Sequence, residues 1–447
     1  MENRLEKKYG LLTAICMVVG IVIGSGIFFK TESVLKATDG HVGTGVLALV
    51  IVGVVMFICS YAFSIMAQKY EKVNGVVDYA EIALGEKYAY YVGWFVSTIY
   101  CPAMTSVLAW LSARYTCVII GFEDPVAGVE CMVLAGFFLV ADYMINALAP
   151  IIAGKLQVSG TVIKLIPLCL MAVVGIVRGL GNGQLSANFA QAASSTGGSG
   201  SALLTAVVAL AFAYEGWILT TSINAELKDS KKNLPIALMI GSIIVVCVYV
   251  CYYLGICGSI SIDELLATSS QQAFYNTFGP MLGSLLNVFI VISCLCTMHG
   301  LLLSCVRGMY SIAVRGVGPM SKAFSQVCPE TNMPTNSTVV GLFVCFFWLV
   351  YFYGANLTSG WFGPFCFDSS ELPIITIYAV YIPIFFSFFR DKSLSPFKRY
   401  AVPTAAILCC LFMVYAAFVA HGKSVLYYLI MSAVIMLIAV PFSKKKA

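Results

Sequence analysis

The sequence predicts an all-α polytopic membrane protein with twelve transmembrane helices, and three observations support this fold class. First, 60% of the 447 residues are hydrophobic and only 11% are charged, whereas a soluble domain carries about 25% charged residues. Second, the apolar runs are long and continuous, unlike the segments of about 10 residues with alternating polarity that build a membrane β-barrel. Third, a spanning helix needs roughly 20 mainly apolar residues, so the chain has room for about twelve spans and no separate soluble domain.

The predicted spans lie between short polar or glycine-rich connections. Their ranges are 11–37, 42–68, 88–121, 129–152, 156–180, 201–226, 235–258, 281–314, 337–354, 361–389, 401–420 and 424–442. The first apolar run is longer than the core of a cleaved signal peptide, and no A-x-A-like site follows it. We therefore expect this run to be a span and not a leader.

Lysine and arginine are distributed unequally between the two sides of the predicted bundle. With twelve spans, 20 of the 26 lysines and arginines fall on the side that holds both termini, and five fall on the other. The positive-inside rule therefore predicts a multi-pass protein of the cell membrane with both termini in the cytoplasm. The net charge of +5 follows from this topology and gives no indication of nucleic-acid binding.

The segment 181–200 is rich in Gly, Ser and Ala, and we expect it to be an outer loop. It divides the spans into five and seven, and many secondary transporters contain two five-helix inverted repeats plus extra helices. The sequence therefore predicts a single domain, 1–447, with a first repeat at 11–180, a second at 201–389 and two additional helices at 401–442.

Spans 1 and 6, the first helices of the two predicted repeats, each contain a glycine interruption. A paired interruption of this kind is the best sequence pointer to a transport site. The candidate substrate-binding residues are Ile23, Gly24, Ser25, Gly26, Phe212, Ala213, Tyr214, Glu215 and Trp217.

A helix that opens inside the membrane leaves N–H groups unbonded at one broken end and C=O groups at the other. A zwitterionic amino acid can satisfy both kinds of group. Its carboxylate suits the N–H groups around Gly24–Gly26, and its ammonium suits the carbonyls of Phe212, Ala213 and Tyr214. Small-residue helix packing through Gly20 and Gly24 is the structural alternative for span 1.

Four segments resemble the amino acid–polyamine–organocation (APC) superfamily, and within it the bacterial L-type amino acid transporters. They are GIVIGSGIFFK (20–30), QVSGTVIKLIPL (157–168), FAYEGWILTTSINAELKDSKKNLPIAL (212–238) and HGLLLSCVRGMYSIAVRG (299–316). The resemblance implies a LeuT-like five-plus-five inverted repeat and alternating access. It also implies an amino acid bound by the unwound parts of helices 1 and 6, with Phe212 as the outer gate. Glu215 departs from the small or neutral residue that is frequent at its position in this superfamily.

The candidates for coupling and gating are Lys164, Phe212, Glu215 and His299. Lys164 is flanked by apolar residues on both sides, and a buried ammonium needs a partner or a lowered pKa. We expect it to tether helix 5 to the carbonyls of helix 1, with a snorkelling interfacial lysine as the alternative. The resemblance implies that relatives with a lysine here are sodium-independent.

Glu215 and His299 each have more than one possible role. Glu215 could pair with a cationic substrate, carry a coupled proton, or bond to nearby N–H groups. His299 could titrate near neutral pH, or it could be a hydrogen-bonded packing residue. We expect Asp142 and Asn146, one turn apart on helix 4, to form interhelical hydrogen bonds.

Four further acidic residues are of interest near helix ends. Glu81 or Glu226 could pair with a nearby basic residue to form an inner gate, with a solvated loop as the alternative. Glu371 falls at the outer start or first half of helix 10, together with Asp368.

The expected partners are the lipid bilayer and an amino acid substrate, which could be a cationic amino acid or an amine. Protons are a further partner if transport is proton-coupled. No Cys/His spacing resembles a zinc site, and no P-loop motif is present, so we expect no metal, no cofactor and no ATP-driven pump. The three histidines are too scattered to predict a membrane-embedded enzyme, which is the alternative of a different class. A transporter of polyamines or other amines is the alternative within the fold. We expect a monomer to be the functional unit.

Overall fold

The computed structural model describes residues 10–24, 26–70, 75–149, 160, 162–193, 199–218, 227–268, 270–331, 333–358 and 360–444. This part of the chain is helical and contains no β-strand. Nine of its helices are long and apolar enough to cross a membrane, and one bent pair meets the same criterion when taken as a single span. In lipid, a helix is stable because it bonds its own backbone groups. The chain is therefore a multi-pass α-helical membrane protein.

The helices are numbered here along the chain. The first nine are α1 Leu11–Val22, α2 Gly26–Ala37, α3 Val42–Lys69, α4 Val76–Leu84, α5 Glu86–Ile120, α6 Val129–Leu148, α7 Leu165–Gly181, α8 Gln184–Ala193 and α9 Gly200–Ala211. The remaining eight are α10 Ser230–Ser259, α11 Ile262–Ala267, α12 Ser270–Ala313, α13 Ser321–Phe324, α14 Thr335–Leu357, α15 Leu372–Arg390, α16 Phe397–His421 and α17 Ser424–Phe442.

The chain divides into two compact units, each built from several separate stretches of sequence. The first unit contains Met1–Tyr79, Lys164–Ile290 and Tyr378–Ala420. The second unit contains Ala80–Ile163, Val291–Ile377 and His421–Ala447.

Small residues allow the helices of the first unit to pack closely around α10. A Cβ atom added to Gly175 of α7 would lie 2.4 Å from the carbonyl oxygen of Gly255. One added to Gly241 of α10 would lie 2.5 Å from a methyl carbon of Val18 on α1. Membrane helices associate through this kind of contact, because lipid gives no hydrophobic drive to bring them together. The positions of α1 and α7 against α10 therefore depend on these glycines.

Aromatic side chains with polar tips fasten the helices of the second unit. The indole N–H of Trp348 donates to the carbonyl of Thr98 at 2.8 Å, which joins α14 to α5. The hydroxyl of Tyr90 donates to the carbonyl of Ala439 at 2.8 Å, which joins α5 to α17. These rings combine apolar packing with a hydrogen bond that needs no water.

Large apolar side chains remain exposed on the outer faces of several helices. Val133 and Phe137 on α6 are 65% and 61% exposed, and Phe343 on α14 is 70% exposed. Faces of this composition suit a lipid surface and would be unfavourable in water.

The segment 181–200 is not a loop throughout, so this prediction was wrong. It contains α8, which is bent by 83° from α7. Asn182 accepts a hydrogen bond from the backbone N–H of Gln184 at 3.0 Å and so starts the helix. Asn188 then anchors α8 by donating to the carbonyls of Cys257 at 2.5 Å and Ile260 at 2.9 Å. The Gly, Ser and Ala content predicted an outer loop, but these residues also permit a helix, which the hydrogen bonds of Asn188 hold against α10.

One predicted span boundary was also wrong. Span 10 begins at Leu372 and not at 361, because the aromatic residues before it form turns and a short 3₁₀ helix. Span 8 was predicted at 281–314, and the backbone breaks just before it at Gly279, whose φ is +77°, so that the preceding part of α12 is a separate helix. Apolar composition alone does not show where an aromatic stretch turns or where a helix bends.

Candidate functional site

The interruption predicted in span 1 is present. α1 ends at Val22, Ile23 is extended with φ −69° and ψ 104°, and α2 begins at Gly26. The N–H of Ile23 still bonds to the carbonyl of Val19 at 2.8 Å. Ser25 lies outside the described residues. The last carbonyls of α1 therefore need partners from outside the helix.

The interruption predicted in span 6 is also present. α9 ends at Ala211, and 212–216 form turns in place of further α-helix. Gly216 has φ +99°, a conformation that strains any residue with a side chain. Residues 219–226 lie outside the described residues.

The two interruptions meet within the first unit. A Cβ atom added to Gly26 would lie 2.7 Å from the Cα of Ala213 and 3.3 Å from the carbonyl oxygen of Phe212. Only a glycine allows this approach without moving backbone. The sequence motif at Gly26 and the turn at Ala213 are thus parts of one buried site.

Lys164 is 1% exposed and directly precedes α7. Its ammonium donates a hydrogen bond to the carbonyl of Gly20, in the last turn of α1. The predicted contact between helix 5 and helix 1 is confirmed. A positive charge in this place complements the negative end of the α1 dipole as well as an unbonded carbonyl.

Tyr249 of α10 links the two interruptions, and sequence reasoning missed it. Its hydroxyl lies 3.0 Å from the carbonyl oxygen of Val22 and 2.8 Å from that of Ala213. One phenol proton can be donated to either acceptor or shared between them. The carbonyl of Ala213, predicted to face a substrate ammonium, therefore offers only its second lone pair in this conformation. No local motif around Tyr249 signals this role, because several tyrosines occur in the same span.

Glu215 lies among aromatic side chains of the first unit. Its buried carboxylate interacts electrostatically with Cys59, Tyr378 and Tyr381. The rings of Trp217 and Tyr381 approach with centroids 5.9 Å apart. The buried hydroxyl of Tyr381 has no hydrogen-bond partner among the described residues. A carboxylate beside aromatic rings is suited to a cationic group.

Phe63 and Tyr214 complete the surroundings of this break. The Phe63 ring contacts those of Trp217 and Tyr381, with centroids 5.7 Å and 4.9 Å away. The Tyr214 hydroxyl donates to the carbonyl of Leu49 on α3 at 2.9 Å. Tyr214 therefore fixes the broken segment to α3 through its hydroxyl.

Phe212, the predicted gate, packs beside a buried cation. The ammonium of Lys30 lies 5.7 Å from the centroid of the Phe212 ring and 5.0 Å from that of Phe29. Cation–π attraction of this kind holds a ring in one orientation.

His299 belongs to the second unit. It is buried on α12 and bonded to Asp142 and Asn146 of α6. The interhelical hydrogen bonds predicted for these two α6 residues are therefore confirmed.

Two ion pairs and one contact between a histidine and a carboxylate lie near helix ends. Arg315 bonds to Glu81 at 3.3 Å, one of the pairs predicted for an inner gate, while Glu226 lies outside the described residues. Sequence reasoning missed the contact between His421 and Glu371 at 2.9 Å. It also missed the pair of Lys69 and Asp391 at 2.5 Å, in which the hydrogen bond from the ammonium lowers the pKa of the carboxyl to about 2.

No group of three or more His, Cys, Asp and Glu side chains in the described part of the chain is arranged to hold a metal ion. The described residues of the two interruptions offer hydrogen bonding, charge and aromatic packing.

Comparison with known proteins identifies the chain's relatives. Residues 9–440 match the model of a family described as amino acid permease. The serine/threonine exchanger SteT of Bacillus subtilis (strain 168) is 26% identical over 407 residues, which cover 90% of this chain and 87% of that protein. The b(0,+)-type amino acid transporter 1 of Mus musculus is 28% identical, over 62% of this chain and 55% of its own length. The human cystine/glutamate transporter is 25% identical, over 74% of this chain and 66% of its own length.

Proposed function

Because this chain belongs to the amino acid permease family, we propose that it carries amino acids across the cell membrane by alternating access, without sodium. It acts as an exchanger or as a proton-coupled symporter. The observation that carries the proposal is the meeting of two interrupted helices at Gly26 and Ala213. Their broken ends place backbone donors and acceptors side by side in the membrane, where a zwitterion can satisfy both.

The substrate carboxylate binds the N–H groups of Gly24, Ser25 and Gly26, next to Ile23. The ammonium binds carbonyls of the span 6 interruption, those of Phe212 and Tyr214 together with the free lone pair of Ala213. Phe212 closes the site from outside, and its contact with Lys30 supports a defined closed position. Trp217 and Glu215 shape the space for the substrate side chain.

Lys164 supports the independence from sodium. Its ammonium bonds to the Gly20 carbonyl at the end of α1, where a sodium ion would need the same kind of oxygen ligand. A fixed charge at this place supplies the stabilisation of α1 and repels a second cation.

The architecture we propose has twelve spans in two inverted repeats, 11–180 and 201–389, followed by 401–442. Nine long helices and one bent pair support ten of these spans, and the two shorter apolar helices that begin spans 1 and 6 support the proposal of two more. The charge distribution supports a cytoplasmic location for both termini. We propose that a monomer is the working unit.

Two substrate classes follow from different observations. The similarity to a serine/threonine exchanger favours small neutral amino acids. Glu215, with its carboxylate near Tyr378 and Tyr381, favours a cationic amino acid, and it supports polyamines or other organic amines as the alternative function. A membrane-embedded enzyme has less support, since the relatives are named as transporters and exchangers.

Uptake into liposomes tests the proposal. Purified protein is reconstituted into liposomes that contain unlabelled L-serine, L-threonine and L-arginine, and labelled forms are added outside in sodium-free buffer. We expect uptake well above that of protein-free liposomes, and stimulation by the internal amino acids if the protein is an exchanger. Absence of uptake for all twenty amino acids and common polyamines, with and without a proton gradient, would refute the transport function.

A further inference from the structure

A cluster of three polar side chains lies between α6 and α12, in the second unit. Asp142, Asn146 and His299 are 8%, 1% and 6% exposed. The Oδ1 atom of Asp142 bonds to the Nδ1 atom of His299. The Nδ2 atom of Asn146 lies 3.0 Å from the same ring nitrogen and 3.1 Å from the backbone carbonyl of Asp142. One ring nitrogen thus has both a carboxyl and an amide as neighbours.

The contact between Asp142 and His299 requires a proton between the two atoms. A carboxylate oxygen and a bare ring nitrogen are both acceptors and would repel each other. The proton lies on Nδ1 if the ring donates, or on Asp142 if Nδ1 accepts. The amide nitrogen of Asn146 also lies beside Nδ1, whose single lone pair accepts a hydrogen bond from one of the two side chains at a time.

The second carboxyl oxygen of Asp142 is an independent observation that favours a protonated carboxyl. Oδ2 is buried and has no hydrogen-bond partner in the described part of the chain. An ionised carboxylate at membrane depth needs several donors or a cation to offset the loss of water. The low dielectric therefore favours a cluster without net charge, and release of its proton would leave a charge of −1 that only water or a rearrangement can stabilise.

The other titratable groups in contact between these helices are phenols and thiols. The Tyr143 hydroxyl lies 3.4 Å from the Cys345 sulfur, and Thr105 contacts the Cys305 sulfur at 3.5 Å. The phenols and thiols are Tyr143 on α6, Cys101 on α5, Cys296 and Cys305 on α12, and Cys345 on α14. The charged side chains of the same helices are Glu86, Lys87 and Arg114 on α5, Glu130 on α6 and Arg307 on α12. His299 is an ionisable side chain in direct contact with Asp142.

We propose that Asp142, His299 and Asn146 form a proton-binding site that takes up one proton from water and releases it once in each transport cycle. The inference rests on the proposed transport function and assigns its coupling ion. Asp142 and His299 share the proton, and Asn146 positions the ring. The loaded cluster is neutral and stable in the closed membrane interior. The empty cluster carries the charge of Asp142 and forms when water reaches the site.

The test measures proton and amino acid movement in the same proteoliposomes. The lumen contains the pH-sensitive dye pyranine, and the external probe is a ¹⁴C-labelled mixture of the twenty common L-amino acids with putrescine. The variants are Asp142→Asn and His299→Gln, which keep the side-chain shapes. Tyr428→Phe is the matched control, because it removes the buried hydrogen bond to Thr376 in the same unit without removing a group that titrates near neutral pH.

In wild type and in Tyr428→Phe we expect substrate addition to change the lumenal pH and uptake to depend on external pH. In both cluster variants we expect proton movement to fall by about tenfold or more and the pH profile to flatten, while exchange of labelled for unlabelled amino acid continues. Uptake by wild type without any proton movement would overturn the proton site and leave the transport function intact. Coupled proton movement in Asp142→Asn at the wild-type level would also overturn it. A complete absence of uptake in wild type would refute transport itself.

Discussion

The two helix interruptions of the first unit differ in what they present to a bound molecule. The span 1 break consists of small or aliphatic residues, and its neighbouring carbonyls at Gly20 and Val22 are held by Lys164 and Tyr249. The span 6 break carries Phe212, Tyr214, Glu215 and Trp217, with aromatic rings of α3 and α15 around it. The first offers backbone alone, and the second offers backbone together with a carboxylate and rings.

This difference separates two tasks. A backbone cradle without functional side chains can bind only what all amino acids share, so the span 1 break is suited to general recognition. Side chains that differ in charge and shape can distinguish substrates, so selectivity belongs to the span 6 break. Tyr249 contacts both breaks and couples their positions.

Loss of the cation that supports the span 1 break should have the largest effect. We expect Lys164→Met to lower exchange by about tenfold to a hundredfold, since a hydrogen bond from a charged group is worth about 1.5–3 kcal/mol. Uptake of all substrates should fall together, because the shared cradle is affected. Proteoliposome uptake measures this, with chromatographic monodispersity as the folding check and Lys69→Met as the control at an exposed lysine. Wild-type activity of Lys164→Met would show that α1 does not depend on this charge.

Removal of the hydroxyl that joins the two breaks should have the next largest effect. We expect Tyr249→Phe to reduce uptake by about tenfold, because two buried carbonyls lose the hydroxyl whose one proton they share, at a cost of about 1–3 kcal/mol. Tyr214→Phe removes one bond, to Leu49, and affects the span 6 break alone. Its effect should be smaller, and equal effects of the two substitutions would contradict a linking role for Tyr249.

Neutralisation of the acid in the span 6 break should change selectivity more than rate. In Glu215→Gln we expect the ratio of cationic to neutral amino acid uptake to fall by about three- to tenfold, in line with the loss of one charge-assisted contact. Competition between labelled L-arginine and labelled L-serine measures this ratio. An unchanged ratio combined with lost proton movement would assign Glu215 to coupling, and an unchanged ratio with lower stability would assign it to structure.

The smallest effect should come from the exposed lysine. We expect Lys69→Met to cost less than about 1 kcal/mol of stability, because its partner Asp391 is partly solvated and water screens the pair. The hydrogen bond from Lys69 lowers the pKa of Asp391 from 3.8 to about 2. The contribution of this pair to folding stability is therefore complete at a pH above the pKa of Asp391 in the unfolded chain. It is lost as the pH falls through the lower pKa of Asp391 in the folded protein. The difference in melting temperature between variant and wild type should thus be smaller at pH 3 than at pH 7, and a larger difference at pH 3 would contradict this sign.

Sequence reasoning found the residues whose chemistry conflicts with a membrane interior. Gly24 and Gly26 interrupt an apolar run, Lys164 is a charge within one, and Asp142, Asn146 and His299 are polar groups at membrane depth. Each is costly unless it has a partner, so each could be selected before any contact was known. The partners themselves were harder to find. Tyr249 is one tyrosine among several on its span, and only the position of α10 shows which carbonyls it reaches.

The sequence by itself determined that this protein is a bundle of membrane helices with two interruptions, because hydrophobicity and glycine act locally along the chain. It did not determine that residues 184–193 form a helix or that span 10 begins at Leu372, since local composition permits both helix and turn there. The tertiary structure decided which side chains satisfy the broken ends. Hydrogen bonds such as that from Lys164 to Gly20 join residues 144 positions apart in the chain, and such pairs are fixed only when the helices pack.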